Sequence, residues 1–244
     1  MKIYALGYSE SASTSYLLNY LISNGVSIEG VIFPKNTLTR SWRRLAQKAR
    51  LRGVYPTIRR ALENQALRKK QISQICQEHI NKVFYVDDIN SDQVREILVS
   101  HNVDLLILTA TPIIKPILID INGLVILNAH TGWLPDYRGL DANLKALRDG
   151  HHPGVSIHKV TEGIDAGEIY LREAFEISLR GNILKQIDDM ELKLAGKLLL
   201  EAVNLKSMNM LKPIATSETL GNYEPPLTIK EKSTIVQEVQ RDGR

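Results

Sequence analysis

Short apolar runs that alternate with helical patterns constrain this chain more than any other feature. Residues 2–6 read as a strand, residues 16–22 repeat their apolar side chains at helical spacing and stop at Asn24 and Gly25, and residues 28–33 are apolar again. Strand, helix, strand at this spacing is a βαβ unit, which calls for a parallel sheet with right-handed crossovers. The rhythm returns downstream, with a strand over 83–86, a helix capped by Ser91 that runs to His101, and the most apolar strand of the chain over 104–108. A turn through Pro112 and Pro116 then leads by a short helix to a further strand over 124–127. The expected class is α/β with a mostly parallel central sheet and helices on both faces. The turn after the first strand, Gly7-Tyr-Ser-Glu-Ser-Ala, lacks the GxGxxG fingerprint, so no dinucleotide site is read there.

A chemical signal stands where the strand over 124–127 ends. Side chains two apart in a strand share a face, so Asn128 and His130 point the same way. In open α/β sheets ligands bind outside the carboxyl ends of the strands. Asn brings an amide N–H that can hold an oxygen gaining negative charge, and His brings a group that titrates near neutral pH. Together they suit acyl transfer through a tetrahedral oxyanion. The alternative is a strand-end turn in which both side chains only satisfy backbone groups, and the spacing leaves it open.

Beyond this point Asp141 is expected to cap a helix that reaches Arg148 and ends at Asp149 and Gly150. Residues 154–160 alternate as a strand carrying His158, which sits among Val155 and Ile157 as a packed support. A polar turn follows, in which Gly163 and Gly167 flank Asp165 and allow close backbone approach to a ligand, although such turns are commonly structural. A strand over 169–177 and a long helix over 182–204, with Ile183, Ile187, Leu194 and Leu198 on one face, complete the pattern. The tail from Pro213 reads as a frayed helix or disorder.

Net charge is only +4, but residues 40–70 hold eleven Lys or Arg against one acid, Glu63. Within this segment Trp42, Leu45, Ala46 and Ala49 fall at helical spacing, and Gly53 and Pro56 separate them from a second helix near 58–67. It reads as a basic helical insertion, either a solvated face or an anion-binding lip. No set of aromatic stacking positions is read as interleaved with its arginines, so nucleic acid is disfavoured as a partner. Ile72, Ile75, Cys76 and Ile80 continue a helical stripe. Cys76 stands alone, which excludes an internal disulfide and a cysteine-based metal cluster and makes it a core thiol. His79 is read as a helix-end residue, and His151 and His152 as surface residues. The first residues carry no signal-peptide pattern and no stretch is apolar enough to span a membrane, so the cytoplasm is the expected compartment.

Asn128-x-His130, Gly132-x-Leu134-Pro135-x-Tyr137-Arg138-Gly139, Gly154-Val-Ser-Ile-His158 and Glu162-Gly-Ile-Asp165-x-Gly167 occur in an order and spacing that resemble the folate-dependent formyltransferases. That family acts on glycinamide ribonucleotide, methionyl-tRNA and amino-sugar nucleotides. The similarity covers residues 83–178 well and the first βαβ unit loosely. It implies a Rossmann-like formyltransferase fold over residues 1–205, with the basic insertion at 40–70 and a C-terminal extension at 206–244. It implies a catalytic trio of Asn128, His130 and Asp165, 10-formyltetrahydrofolate as co-substrate, and no metal. Asp165 would orient His130, raise its proton affinity and help take the proton of an attacking amine. By the same resemblance the pterin lies against Leu108, Thr109, Thr111 and Ile113 on one side and Val160, Glu162, Gly163 and Ile164 on the other, held by backbone donors and acceptors.

The turn after the first strand lacks the Gly-rich phosphate loop that the resemblance would supply for glycinamide ribonucleotide. The chain runs only about 40 residues past the long helix, short of the barrel expected of a methionyl-tRNA enzyme. The favoured partner is therefore a small amine acceptor that can carry phosphate, an amino-sugar nucleotide, with a homodimer left open. A 10-formyltetrahydrofolate hydrolase, a methionyl-tRNA formyltransferase-like enzyme and a non-catalytic binding protein of the same fold are the alternatives.

Overall fold

The structure, a computed structural model, describes residues 1–35, 54–215, 221 and 223–242. The chain falls into two compact units, Met1–Leu124 and Val125–Arg244. The first unit is the βαβ alternation that the sequence calls for. Strands β1 (Ile3–Leu6), β2 (Gly30–Pro34), β3 (Lys82–Val86) and β4 (Leu105–Leu108) lie in the order β3-β2-β1-β4, every recorded pairing parallel. β1 and β4 are buried along their whole length, as expected of strands covered on both faces.

Helix α1 (Ala12–Ser23) opens at Ser11, whose Oγ accepts the Thr14 N–H, and closes at Asn24 followed by Gly25 at φ +85°. Helix α2 spans Val54–His79 without a break. The two helical patterns expected on either side of residue 70 are thus one helix. Pro56 falls in its first turn, where a missing N–H costs nothing, so it does not separate elements. Ile72, Cys76 and Ile80 are buried on the inner face, and burial pushes the Cys76 thiol up to about 11, as befits a core thiol. The stripe expected at Trp42, Leu45, Ala46 and Ala49 lies outside the described residues.

Helix α3 (Asp92–Ser100) has Ser91 at its N-cap position, but the hydroxyl donates to Asp88 O instead of accepting a helix N–H. The expected side-chain cap is therefore absent, because the preceding turn competes for the same oxygen. Helix α4 (Pro116–Ile119) begins with proline at its first position, as predicted.

The second unit departs from a parallel pattern. Strand β5 (Val125–His130) runs antiparallel to β6 (Gly154–Lys159), which runs antiparallel to β7 (Ile169–Ala174). Strand β5 does not stop at Leu127. It continues through Asn128 and His130, and its register sets Asn128 opposite His158 and His130 opposite Ser156. Helix α5 is Ala142–Arg148 and helix α6 is Ile183–Ser207, whose N-cap Asn182 accepts the Lys185 N–H. The buried face of α6, which includes Ile183, Ile187, Leu194 and Leu198, packs on the strands of this unit.

Two expectations fail here. Asp141 does not cap α5: it sits at φ +60°, and its carboxylate turns to Leu227 N–H and the Lys232 ammonium. The tail contains an ordered helix, α7 (Ile229–Asp242), which packs on α5 and buries Ile235 and Val239. Fully burying two such side chains contributes roughly 3–6 kcal/mol, enough to order a segment whose composition alone reads as solvated. Among the described residues no helix is long and apolar enough to cross a membrane.

Candidate active site

One face of the β5/β6 pair carries Asn128, His130, Ser156 and His158, because alternate residues of opposed strands share a face. The Val160–Asp165 loop brings a carboxylate to that face. Asp165 Oδ2 lies 3.3 Å from His130 Nδ1, and Oδ1 lies 3.5 Å from His158 Nε2. His158 Nε2 is in turn 3.1 Å from Asn128 Nδ2. The trio implied by the motifs is brought together, but His158 stands between Asn128 and Asp165 as a fourth member. The two rings meet edge to face, their centroids 6.3 Å apart.

Each proton has an assignable place. Neutral His158 carries its proton on Nδ1, which donates to Lys159 O at 3.0 Å, so Nε2 accepts one N–H of the Asn128 amide. This fixes the amide with its NH2 group on the β5/β6 face and leaves its second N–H for another acceptor. His130 Nε2 donates to Tyr137 O at 2.8 Å, leaving Nδ1 toward Asp165.

The two ionisable partners are held apart in proton affinity. Burial pushes the Asp165 carboxyl up, but the facing Nε2 of His158, the charge of His130 when it is protonated and the Gly139 N–H at 2.9 Å outweigh it and hold the group down at about 2. Burial pushes the His130 imidazole below its ordinary value, against the opposing pull of Asp165 and Tyr137 O. At neutral pH the pair is therefore an anion beside a neutral ring, poised to accept a proton between Nδ1 and Oδ2.

The segment from Thr131 to Asp141 shapes this arrangement. Gly132 packs so tightly that a Cβ there would stand 2.5 Å from His130 Nε2 and 2.5 Å from the Ala142 Cβ. Gly139, at φ +82°, presents the N–H that Asp165 accepts. Ser156 Oγ accepts the Leu134 N–H and donates to Gly132 O, while Arg172 donates to Leu134 O at 2.6 Å and stacks over Trp133. Arg138 donates through Nε and Nη2 to Ile164 O, tying this segment to the Asp165 loop. Sequence reasoning gave no role to Ser156, Tyr137, Arg138 or Gly139. The alternation of Ser156 with His158 along β6 was the available signal for the first; the others lie within the quoted motif, but Tyr137 and Gly139 act through backbone groups and Arg138 through a distant carbonyl, roles that spacing does not state.

Four of the residues expected to meet a pterin lie in this unit. Val160 N–H is bonded to Ile126 O and Ile164 O accepts Arg138, while Glu162 and Gly163 are exposed. The other four belong to the first unit. Leu108 and Thr109 are buried, the Thr109 hydroxyl lying 3.2 Å from Leu6 O and 3.1 Å from Thr14 Oγ1. Thr111 is half-buried and Ile113 exposed, in a turn pinned by Asn90, which donates to Ile113 O and accepts the Lys115 N–H. His79 ends α2 beside Glu78, and His151 lies at the surface with Nδ1 2.6 Å from the Tyr137 hydroxyl. Among the described residues no group of three or more His, Cys, Asp or Glu could hold a metal ion.

The formyl transferase family model matches residues 33–203. A methionyl-tRNA formyltransferase of Fervidobacterium nodosum is 30% identical over 180 residues, which make up 72% of this chain and 49% of the relative. Another, of Kosmotoga olearia, is 29% identical over 168 residues, 68% of this chain and 53% of the relative. The chain thus spans about half the length of these curated relatives. Among solved structures, a sugar N-formyltransferase from a Shewanella species superposes with a TM-score of 0.63 at 15% identity, covering 98% of this chain and 87% of that one. Phosphoribosylglycinamide formyltransferase from Anaplasma phagocytophilum gives 0.61 at 21%, covering 86% and 88%. At such identities the likeness is one of fold, α/β and Rossmann-like. The match across most of the chain, over the residues that build the Asn128–His130–Asp165 face, makes this protein a member of the formyl transferase family.

Proposed function

We propose that the chain is an N-formyltransferase that moves the formyl group of 10-formyltetrahydrofolate to the amine of an amino-sugar nucleotide. The observation that carries this reading is the row of Asn128, His158, Asp165 and His130 on one sheet face, with successive polar atoms 3.1, 3.5 and 3.3 Å apart. The bound folate supplies an electrophilic formyl carbon. Asn128 directs its second amide N–H at the oxygen on which negative charge develops, a donor oriented in advance by His158. The proton of the attacking amine goes to the His130–Asp165 pair, at Nδ1, the carboxylate stabilises the imidazolium as it forms, and that proton passes to the folate nitrogen as its bond to the formyl carbon breaks and tetrahydrofolate leaves. His158 positions Asn128 by accepting its first N–H. Val160, Glu162, Gly163 and Ile164 are the residues of this unit assigned to the pterin. The exposed backbone of Glu162 and Gly163 suits a flat heteroaromatic ring that is read by donors and acceptors.

The acceptor assignment rests on the missing Gly-rich turn after β1 and on the excess of basic residues at 40–70, which suits a diphosphate. The names of the curated relatives favour a second reading, methionyl-tRNA as acceptor. A screen of nucleotide-linked amino sugars and of aminoacylated tRNA with 10-formyltetrahydrofolate, read as the mass gain of one formyl group, separates the two. Gain on an amino sugar supports the proposal, and gain on the tRNA alone replaces its acceptor. Rapid formate release in the absence of any amine would make the protein a hydrolase.

A further inference from the structure

The segment Thr131–Asp141 lends two backbone groups to the ionic pair, Tyr137 O to His130 and Gly139 N–H to Asp165. Any displacement of this segment therefore misplaces both partners. What holds it on its outer side is the C-terminal part of the chain. Gly221 N–H donates to Pro135 O at 3.0 Å, Arg138 Nη1 donates to Gly221 O at 3.3 Å, and the Tyr223 ring lies against Gly139. Asp141, free of any capping duty, accepts Leu227 N–H at 3.0 Å and the Lys232 ammonium.

A second attachment stands on α5. Lys145 is only 2% exposed and donates its ammonium to Glu224 O at 3.0 Å, while Arg148 grips the Glu224 carboxylate at 3.0 and 3.1 Å. A charge buried this deeply is tolerated only when it is satisfied, so the Glu224 carbonyl is a required partner. Ile235 and Val239 then bury the apolar face of α7.

We propose that this C-terminal segment is a positioning strap, in which Lys232 acts through Asp141 to fix the segment that orients His130 and Asp165. The inference rests on the formyl-transfer reading for its kinetic consequence only. Lys232 and Asp141 are positioning residues: neither has a recorded contact with Asn128, His130 or Asp165, yet the strap decides where Tyr137 O and Gly139 N–H stand.

The test uses the full chain carrying Lys232→Met or Lys232→Arg. The measurements are hydrogen exchange of the Gly139 amide and the titration of the His130 ring nitrogens by NMR, with kcat and KM for 10-formyltetrahydrofolate on whichever acceptor gains mass in the screen above. Lys232→Met is expected to speed Gly139 exchange and lower kcat by about tenfold each, shift the His130 titration, and leave the folate KM within about twofold, while Lys232→Arg restores the first three. Wild-type exchange and titration in Lys232→Met would overturn the strap. If that variant fails to fold, Glu224→Ala removes the Arg148 attachment and must move the same two NMR readouts in the same direction, or the proposal falls. A wild-type protein that formylates no amine, together with altered NMR in the variants, would retire the transfer reading and leave the strap standing.

Discussion

Two buried polar clusters, one in each unit, follow the end of an apolar strand and differ in what they are made of. Behind β4 the Thr109 hydroxyl is shared between Leu6 O and Thr14 Oγ1, neutral groups that are satisfied locally. Behind β5 the buried groups are an amide, two imidazoles and a carboxylate, all linked. The first cluster closes a gap with hydrogen bonds worth about 1 kcal/mol each between neutral groups. The second accepts the cost of burying ionisable groups, and that cost leaves proton affinities displaced from their ordinary values. The same local signal, an apolar run breaking into a polar turn, therefore covers both a neutral cluster and an ionisable one.

The contrast is sharpest in variants that remove chemistry while keeping shape. His130→Ala is expected to lower formyl transfer by about 10²–10⁴-fold, with far-ultraviolet circular dichroism unchanged. Asp165→Asn should lose a comparable factor and give a flattened pH profile of kcat. Near wild-type turnover in either variant would return the β5 cluster to the structural class of its counterpart.

Acid should separate the clusters next. Asp165 is held at about 2, below the unfolded value of about 3.9, so its stabilisation is present above the unfolded value and is lost as pH falls toward 2. The depressed His130 works in the same direction, because a ring that stays neutral in the fold but is protonated when unfolded weakens the fold as pH drops through about 6.5 and below. Denaturant titrations at a series of pH values should show about 2.5 kcal/mol of acid loss in the wild type that is missing in Asp165→Asn. Equal slopes for the two proteins would remove the electrostatic half of the comparison.

Glu191 on α6 gives the opposite sign. Burial raises its carboxyl to about 7 despite the Asn143 amide, which donates at 2.8 Å, and Asp188 and Asp141 add to the rise. Its contribution is complete below about 4.5 and is lost as pH rises through about 7. Glu191→Gln keeps the acceptor for Asn143 and should raise the melting temperature at pH 8 by a few degrees, with no change at pH 4. A gain of the same size at both pH values would mean that packing, and not charge, is responsible. The smallest effect belongs to the neutral cluster. Thr14→Val should cost about 1 kcal/mol of stability at every pH while transfer is retained, and a pH-dependent loss would show that this cluster is not neutral.

How much of this was legible in the sequence follows from the range of the interactions concerned. Period and caps are local, so β1, α1, β4 and the shared face of Asn128 and His130 could be read directly, and the expected α/β class is found. Asp165 came from resemblance, since nothing in an Asp-Gly turn states which strand it will face. The direction of β5–β6 pairing depends on partners far apart in the chain, so the opposition of Asn128 and His158 was not foreseen. Asp141 misled for the same reason: a carboxylate just before a helix reads as a cap, and only the distant Lys232 and Leu227 reveal its use. The tail failed because α7 is mostly polar and owes its order to two apolar residues that need α5 to pack against.

The pairing of β5 with β6 also bears on how this protein can change. Shifting that ladder by one position would turn Asn128 and His130 to the opposite side together with the buried Ile126 that shares their face, and would bring the buried Leu127 round to take their place. Reactive alignment and interior packing are thus a single choice of alignment between two strands, and a slipped chain that remained folded with its chemistry disarmed has no cheap way to arise. Drift in this region is consequently confined to exchanging side chains in place.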